Sequence, residues 1–207
     1  MNRKNDFLKI LAVLLMLIDH IGAVFFPENL LFRVVGRLSF PLFAYCIAEG
    51  YFYTSSWKKY SLRLFLFALI SQAPYSMLFD TWRLNIFFTL WLSLLAIHCF
   101  AKKNYIAGAL LLGIAYVAPI SYGIFGVLLP SVYFFLKNNR ILLIATQLVT
   151  TYLYSMSIDV TYQMTSVLAT FLIWYTNSLP VNISMNKYLF YWFYPLHLIL
   201  LYLAAHL

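Results

Sequence analysis

The chain has 207 residues, of which 64% are hydrophobic and only 10% are charged, and its mean hydropathy is +0.84. A soluble domain carries roughly 25% charged residues, so this composition excludes an ordinary soluble protein and indicates an integral membrane protein. The net charge of +8 is spread over short hydrophilic breaks between apolar runs. This placement follows the positive-inside pattern and argues against nucleic acid as a partner.

We predict a single all-α domain over residues 1–207, a polytopic bundle of about nine membrane-spanning helices with a range of eight to ten. The predicted spans are residues 7–26, 30–53, 62–79, 84–100, 105–118, 122–136, 141–156, 160–174 and 188–207. The first span starts like a signal peptide, but it contains Asp19 and His20 and lacks a small-residue cleavage site. We therefore expect it to be retained as a helix in the lipid bilayer.

Basic residues occupy alternate breaks between the predicted spans. They precede the first span and return after the second, fourth and sixth, as Lys58, Lys59 and Arg63, then Lys102 and Lys103, then Lys137 and Arg140. Because lysine and arginine concentrate in cytoplasmic loops, this alternation predicts a cytoplasmic N-terminus and a C-terminus on the outer side.

The first span carries three ionisable residues, Lys9, Asp19 and His20. A charged residue at mid-span costs about 2.5–3.5 kcal/mol on insertion scales, so such residues indicate a ligand, a proton path or chemistry. Lys9 and His20 share one helix face about 16 Å apart, although Lys9 is also typical of a snorkelling anchor and His20 of a packed histidine. The Asp19 side chain points about 100° away from that of His20, which predicts a cationic partner on another helix.

The second span offers that partner, because Arg33 and Arg37 lie one turn apart on one face. Either arginine suits a structural pair with Asp19 or a contact with an acyl carbonyl or a carboxylate. Glu49 lies in the inner part of the same span and is a candidate to neutralise Lys9 or to contact the substrate.

The last span places His197 at a depth comparable with that of His20, and Tyr194 lies one turn before it. Tyrosine is also typical of the interfacial belt of membrane proteins, but a histidine near the membrane middle is not. We therefore take Tyr194 and His197 as candidates for lining the same site.

A lone histidine in a membrane bundle suits a general base that takes a proton from an amine or a hydroxyl. Lys9 suits an anionic cytoplasmic donor with phosphates at its head, and acetyl-CoA is the obvious one. The sequence lacks the cysteine and histidine spacing or the carboxylate cluster of a metal site, so we expect no metal. A small-solute or proton-coupled transporter would use the same buried ions, but the repeated halves typical of transporters are not seen.

The chain resembles the TraX family over about its first 90 residues and again at its C-terminus. The matching segments are LKILAVLLMLIDHIGAVFFP, FRVVGRLSFPLFAYCIAEGYFYT, KKYSLRLFLFALISQAPYSMLF, LNIFFTL and FYWFYPLHLILLYL. The family is named for the enzyme that acetylates the N-terminus of F-type pilin. The resemblance implies a multi-pass protein of the bacterial cytoplasmic membrane that moves acetyl from acetyl-CoA to an amine of a pilin, peptide or cationic lipopeptide.

The TraX family in turn is similar to a broader superfamily of transmembrane acyltransferases that carry a basic residue, ten further residues and then histidine in the first core helix. Lys9 and His20 have that spacing. The resemblance implies that His20 is the catalytic base and that Lys9 binds the donor. From the residues themselves we add Asp19 as a second catalytic candidate that orders the centre, and Arg33 and Arg37 as further candidates for binding the donor. Because the superfamily also O-acetylates surface glycans, a sugar hydroxyl is the alternative acceptor.

Overall fold

The computed structural model describes residues 4–180, 183 and 186–207. In this part of the chain the regular elements are ten α-helices and one 3₁₀ helix, and there is no strand, which agrees with the predicted all-α class. The elements are α1 (Lys4–Phe25), α2 (Leu30–Gly36), α3 (Ser39–Tyr53), α4 (Trp57–Phe79), α5 (Ile86–Ala101), α6 (Tyr105–Val117), α7 (Gly123–Leu136), α8 (Arg140–Ser157), the 3₁₀ helix (Thr161–Val167), α9 (Leu168–Ser178) and α10 (Lys187–His206).

Each predicted span coincides with one helix or with two consecutive ones. By length and composition, four described segments are able to cross a membrane, namely Asp6–Phe25, Leu30–Tyr53, Trp57–Phe79 and Tyr188–His206, and three shorter helices are also apolar, Ile86–Ala101, Tyr105–Val117 and Gly123–Leu136. The protein is therefore a helical membrane protein. The number of about nine crossings and the cytoplasmic N-terminus remain predictions.

Two predicted spans are divided in the structure. Residues 30–53 form α2 and α3, separated by Arg37 and Leu38, where the Arg37 amide donates to Arg33 O at 3.1 Å and ends α2. Residues 160–174 begin as the 3₁₀ helix and continue into α9 as far as Ser178. Both divisions occur where buried polar side chains bond to neighbouring elements instead of facing lipid, a feature that hydropathy alone does not report.

Asparagine marks the start of several helices. At an N-terminus the first backbone amides have no partner within the helix, and a side-chain oxygen at the cap position accepts from one of them. Five helices of the described chain use an asparagine in this way, Asn29 for α2, Asn85 for α5, Asn104 for α6, Asn139 for α8 and Asn186 for α10. These caps set the breaks between the apolar runs.

Helix α1 lies among four other elements, and this position determines where its polar residues point. It packs on α2, α3, α9 and α10, while α4 packs on α5 and α10, and α3 packs on α5 and α7. The α1–α2 contact is close because a Cβ atom on Gly36 would come within 3.0 Å of the Asp19 side chain. Helices α1 and α10 are thus neighbours, and the helical period of α1 turns His20 toward α10.

Candidate functional site

His20 and His197 lie side by side between α1 and α10. The Nδ1 atom of His20 is 2.8 Å from Nε2 of His197, and the two rings stack with their centroids 5.1 Å apart. Phe79 of α4 meets His20 edge-on at 5.2 Å, and the Tyr194 ring is 6.4 Å from it. The structure therefore brings together the two histidines that the sequence placed at similar depth.

The hydrogen bonds of this pair fix the tautomers of the two neutral rings. Nδ1 of His197 is 2.9 Å from the carbonyl oxygen of Phe193, and because a carbonyl only accepts, that nitrogen carries the proton. A neutral imidazole has one N–H, so Nε2 of His197 accepts and Nδ1 of His20 donates to it. The remaining nitrogen of His20, Nε2, then carries the free lone pair that a general base needs.

Asp19 pairs with both arginines of the second predicted span. The Nη2 atom of Arg37 donates to the two carboxylate oxygens at 2.8 and 2.9 Å, and Nη1 of Arg33 lies 3.0 Å from Oδ1. Arg37 is the more buried partner, with 10% of its side chain exposed against 26% for Arg33. Asp19 thus has the cationic partners that the sequence predicted, and its carboxylate is directed to α2 rather than to the imidazole of His20.

A cavity of about 460 Å³, here called the Lys9 cavity, lies between α1, α3, α4, α5 and α10. Lys9, Glu49, Lys59 and Arg63 line it together with residues 54–56 of the α3–α4 connection. Apolar and aromatic side chains form the rest of its wall, among them Met16, Phe87, Tyr191 and Tyr194. Its size falls within the roughly 300–1,000 Å³ of small-molecule sites.

The Lys9 cavity extends toward the histidine pair but does not include it. Tyr194 lines the cavity, and its ring is 5.5 Å from the His197 ring. Met16, also on the wall, lies one turn before His20 on the same face of α1. His20 and His197 do not line the cavity, and Tyr194 is a lining residue that also lies against the His197 ring.

Two acids and three basic residues determine the charge of this cavity. Nζ of Lys9 donates to Asp6 at 2.8 Å, and Asp6 is only 1% exposed. Asp6 therefore offsets the charge of Lys9, which the sequence analysis did not foresee. Lys59 and Arg63 on α4 supply the remaining positive charge against Glu49. Arg63 Nε is buried and finds no hydrogen-bond partner among the described residues.

Arg33 and Arg37 do not line the Lys9 cavity, whereas Arg63 and Lys59 do. The sequence analysis used Lys59 and Arg63 only for orientation, because loop-proximal basic residues are what the positive-inside rule predicts. Their recurrence four residues apart at the start of α4, on one helix face, was the available sign that they act together.

A second cavity of about 460 Å³, here called the Arg140 cavity, adjoins the first. Tyr133, Lys137, Arg140, Trp174 and Asn177 contribute to its lining. Glu49 and Tyr53 line both cavities, so the two open on the same end of the molecule. The basic residues of three predicted cytoplasmic breaks thus gather at one end.

The fold and the site define an all-helical membrane protein with a partly buried histidine pair, a buried aspartate held by two arginines, and a cavity lined by basic residues at its mouth. The family model described as "TraX protein" matches residues 4–205. The chain belongs to the TraX family.

Two curated proteins are similar to part of the chain. The "Probable fimbrial assembly protein FimC, serogroup H1" of Dichelobacter nodosus is 33% identical over 123 residues, which is 50% of this chain and 50% of that protein. The "Uncharacterized protein RP591" of Rickettsia prowazekii (strain Madrid E) is 33% identical over 120 residues, 56% of this chain and 46% of that protein. The chain thus spans about half the length of these relatives. No solved structure matches it significantly.

Proposed function

We propose that this protein is an integral membrane acetyltransferase that moves an acetyl group from acetyl-CoA to an amine, with His20 as the general base. The observation that carries the proposal is the His20–His197 hydrogen bond of 2.8 Å. Since His197 Nδ1 faces a carbonyl, His20 presents an unprotonated Nε2, which is the form that accepts a proton from an attacking amine.

The Lys9 cavity supports the donor side of the proposal. Coenzyme A joins a phosphate-rich nucleotide head to a long, largely apolar arm that ends in the thioester. Lys59 and Arg63, which line the cavity, would meet the phosphates, for which a guanidinium is well suited. The aromatic wall that leads to Tyr194 would hold the arm. Lys9 remains a candidate for binding acetyl-CoA, and its hydrogen bond to Asp6 would fix its position.

Transfer requires the thioester to pass Tyr194. Tyr194 lines the cavity and its ring is 5.5 Å from the His197 ring, so we propose that a rotation of this side chain opens the path from the cavity to His20. Together with His197, Tyr194 would then line the reaction centre. Glu49, at the boundary of the two cavities, is proposed to contact the donor or the acceptor near the mouth.

We assign Arg33 and Arg37 primarily to the support of Asp19 and α1. Their contacts hold the carboxylate of Asp19, the residue that precedes His20, and thereby fix the rotation of α1 on which the imidazole depends. A direct contact of either arginine with the donor would require a second cationic site beyond the Lys9 cavity.

The acceptor is proposed to be an amine of a pilin, a peptide or a cationic lipopeptide at the membrane or its outer face. Support comes from the similarity to a protein named as a probable fimbrial assembly protein and from the family's resemblance to the pilin acetylase. In the reaction, the amine nitrogen bonds to the acetyl carbon, the carbon–sulfur bond breaks, and the coenzyme leaves as the thiol after protonation.

The proposal is tested with purified, detergent-solubilised protein, acetyl-CoA and three acceptors, namely a pilin N-terminal peptide, a cationic lipopeptide and a surface glycan. Thiol release and acetylated product are measured for the wild type, for His20→Ala and for His206→Ala, an exposed histidine near the C-terminus as the matched control. We expect His20→Ala to lower the rate by about 10²–10⁴-fold and His206→Ala to have no effect. Absence of product with every acceptor, or equal rates for His20→Ala and wild type, contradicts the proposal, and glycan acetylation alone identifies a hydroxyl acceptor.

A further inference from the structure

Six buried polar residues form a continuous strip inside the bundle, here called the polar seam. Three lie one turn apart along α8, and three lie along the 3₁₀ helix and the start of α9. They are Gln147, Thr151 and Ser155, facing Gln163, Ser166 and Thr170, and none is more than 4% exposed.

The two rows of the polar seam run antiparallel and meet at defined levels. At one end the Thr170 hydroxyl donates to Oε1 of Gln147. At the other end Ser155 Oγ donates to the Val160 carbonyl at 2.8 Å, at the entry to the 3₁₀ helix. Thr151 and Ser166 lie midway along their rows, and this antiparallel arrangement places them at the same level.

Four polar atoms of the seam have no hydrogen-bond partner among the described residues. They are Nε2 of Gln147, Oγ1 of Thr151, Nε2 of Gln163 and Oγ of Ser166. A buried polar group that leaves water and gains no partner is destabilising, and such groups are rare in folded proteins. Four of them along one interface therefore indicate partners that are not protein atoms.

Hydroxyls elsewhere on the same elements are satisfied in the manner usual for membrane helices. Thr150 donates to the Thr146 carbonyl at 2.8 Å, and Thr176 donates to the Leu172 carbonyl at 2.9 Å, the local bond that serine and threonine form within helices. Thr151, adjacent to Thr150, does not form it. The seam hydroxyls thus face the interface instead of their own backbone.

The polar seam has polar groups at both ends. Nη1 of Arg37 lies 3.5 Å from Oε1 of Gln163, which joins the seam to the Asp19 ion pair. At the opposite end the Tyr133 hydroxyl is 2.9 Å from Oγ1 of Thr170, and Tyr133 lines the Arg140 cavity. The seam therefore links the buried ion pair to an open cavity.

We propose that the polar seam binds a chain of water molecules that enters from the Arg140 cavity and reaches the Asp19–Arg37 pair. Buried water occupies sites that supply two to four polar partners, and the facing amides and hydroxyls provide them at each level. At the end of the seam near Asp19, the group of Asp19, Arg33 and Arg37 carries a net positive charge, which opposes the passage of hydronium as an arginine does in water-selective pores. The seam thus hydrates the ion pair without opening a proton leak, and this inference is independent of acetyl transfer.

Cysteine accessibility tests this proposal on the intact chain. In a Cys46→Ala, Cys99→Ala background, Thr151→Cys and Ser166→Cys are compared with Val167→Cys and Ala169→Cys, two equally buried apolar positions of the same elements. The solubilised protein is treated with the small neutral reagent methyl methanethiosulfonate, and modification of the folded fraction is followed by intact mass. We expect the two seam cysteines to react at least tenfold faster than the two controls, and equal rates overturn the proposal.

A second measurement does not depend on reactivity. Thr151→Val keeps the side-chain shape and removes the hydroxyl, and Thr150→Val is the control at the neighbouring residue, whose hydroxyl bonds to its own helix. If water binds in the seam, Thr151→Val lowers the Tm relative to Thr150→Val because the water loses a partner. A dry seam gives the opposite sign, since the variant removes an unsatisfied group, so an equal or higher Tm overturns the proposal.

Discussion

The Nδ1 atom of His20 and the Nε2 atom of His197 are 2.8 Å apart, although 177 positions separate them in the chain. His197 donates its own N–H to the Phe193 carbonyl, so it acts as an acceptor toward His20 and holds the reactive nitrogen of that ring unprotonated. In this arrangement His197 is a positioning residue for His20, and the two have separable effects on the rate.

His197→Phe tests this relationship, because it keeps an aromatic ring in place and removes the accepting nitrogen. We expect kcat for acetyl transfer to fall about tenfold or more, less than for His20→Ala, since the base remains but loses the bond that selects its tautomer. The KM for acetyl-CoA should be unchanged, because His197 does not line the Lys9 cavity. Equal kcat values for His197→Phe and His206→Phe, the control, would contradict the assigned role.

Arg63 of the Lys9 cavity should contribute to donor affinity. Arg63→Gln removes the cation and the unpartnered Nε, so we expect the Kd for coenzyme A to rise about tenfold, equivalent to about 1.4 kcal/mol. Lys58→Gln is the matched control, since Lys58 is a basic residue of the same segment that does not line the cavity. The Kd is measured by calorimetry at two salt concentrations, and the wild-type affinity should weaken with salt more than that of Arg63→Gln.

If Lys58→Gln and Arg63→Gln weakened binding equally, the effect would reflect the general positive charge of this end of the molecule. The assignment of Arg63 to the phosphates would then be wrong, and the Lys9 cavity would need another function.

Hydropathy and charge predicted most of the fold, because membrane helices follow the length and polarity of the bilayer. Most of the predicted span limits fall within a few residues of the helices, and the pairing of Asp19 with an arginine of the second span was foreseen from a short connection. The depth of His197 along its span was also readable from the sequence. The spacing and depth of residues within one helix can be predicted because they depend only on the rise per residue.

The sequence did not predict which side chains of neighbouring helices contact each other. Helix rotation is set by packing against neighbours, so the sequence left open whether Arg33 or Arg37 would meet Asp19, and both do. It also gave no reason to separate Arg63 from other loop-proximal basic residues, or to pair Lys9 with Asp6. The threonines and serines of the polar seam were missed because isolated hydroxyl side chains within apolar runs carry little weight in hydropathy.

The close contact between α1 and α2 predicts a strong effect of a single methyl group. A Cβ on Gly36 would overlap the Asp19 side chain, whereas a Cβ on Gly113 in α6 meets no atom within 4 Å. We expect Gly36→Ala to destabilise the protein by about 1–3 kcal/mol, as overpacking does, and Gly113→Ala to be neutral or to stabilise by about 0.5–1 kcal/mol. The comparison is made by thermal unfolding in detergent, and equal Tm values for the two variants would show that α2 adjusts freely.

The two arginines on Asp19 should differ in their contribution to stability. Arg37 contacts both oxygens of Asp19 through Nη2 and is more buried, and Arg33 is more exposed. Breaking a buried ion pair by removing one partner costs about 3–5 kcal/mol, whereas an exposed pair contributes about 0–1 kcal/mol. We expect Arg37→Gln to lower the Tm well below that of Arg33→Gln, and a double-mutant cycle with Asp19→Asn should assign the larger coupling to Arg37. A larger coupling for Arg33 would contradict this ranking.

The orientation of the bundle gives the last prediction. Residues of the N-terminal helix, the α3–α4 connection and the α7–α8 connection line two adjoining cavities at one end, which the positive-inside rule assigns to the cytoplasm. Trp82 lies in the α4–α5 connection, at the opposite end of α4 from the α3–α4 connection, and should therefore face the outside. Its side chain is 96% exposed, which makes it suitable for labelling. In right-side-out membrane vesicles, an impermeant maleimide should label Trp82→Cys at once and Lys58→Cys only after permeabilisation, both in a Cys46→Ala, Cys99→Ala background. The reverse order would place the Lys9 cavity outside, where cytoplasmic acetyl-CoA does not reach it.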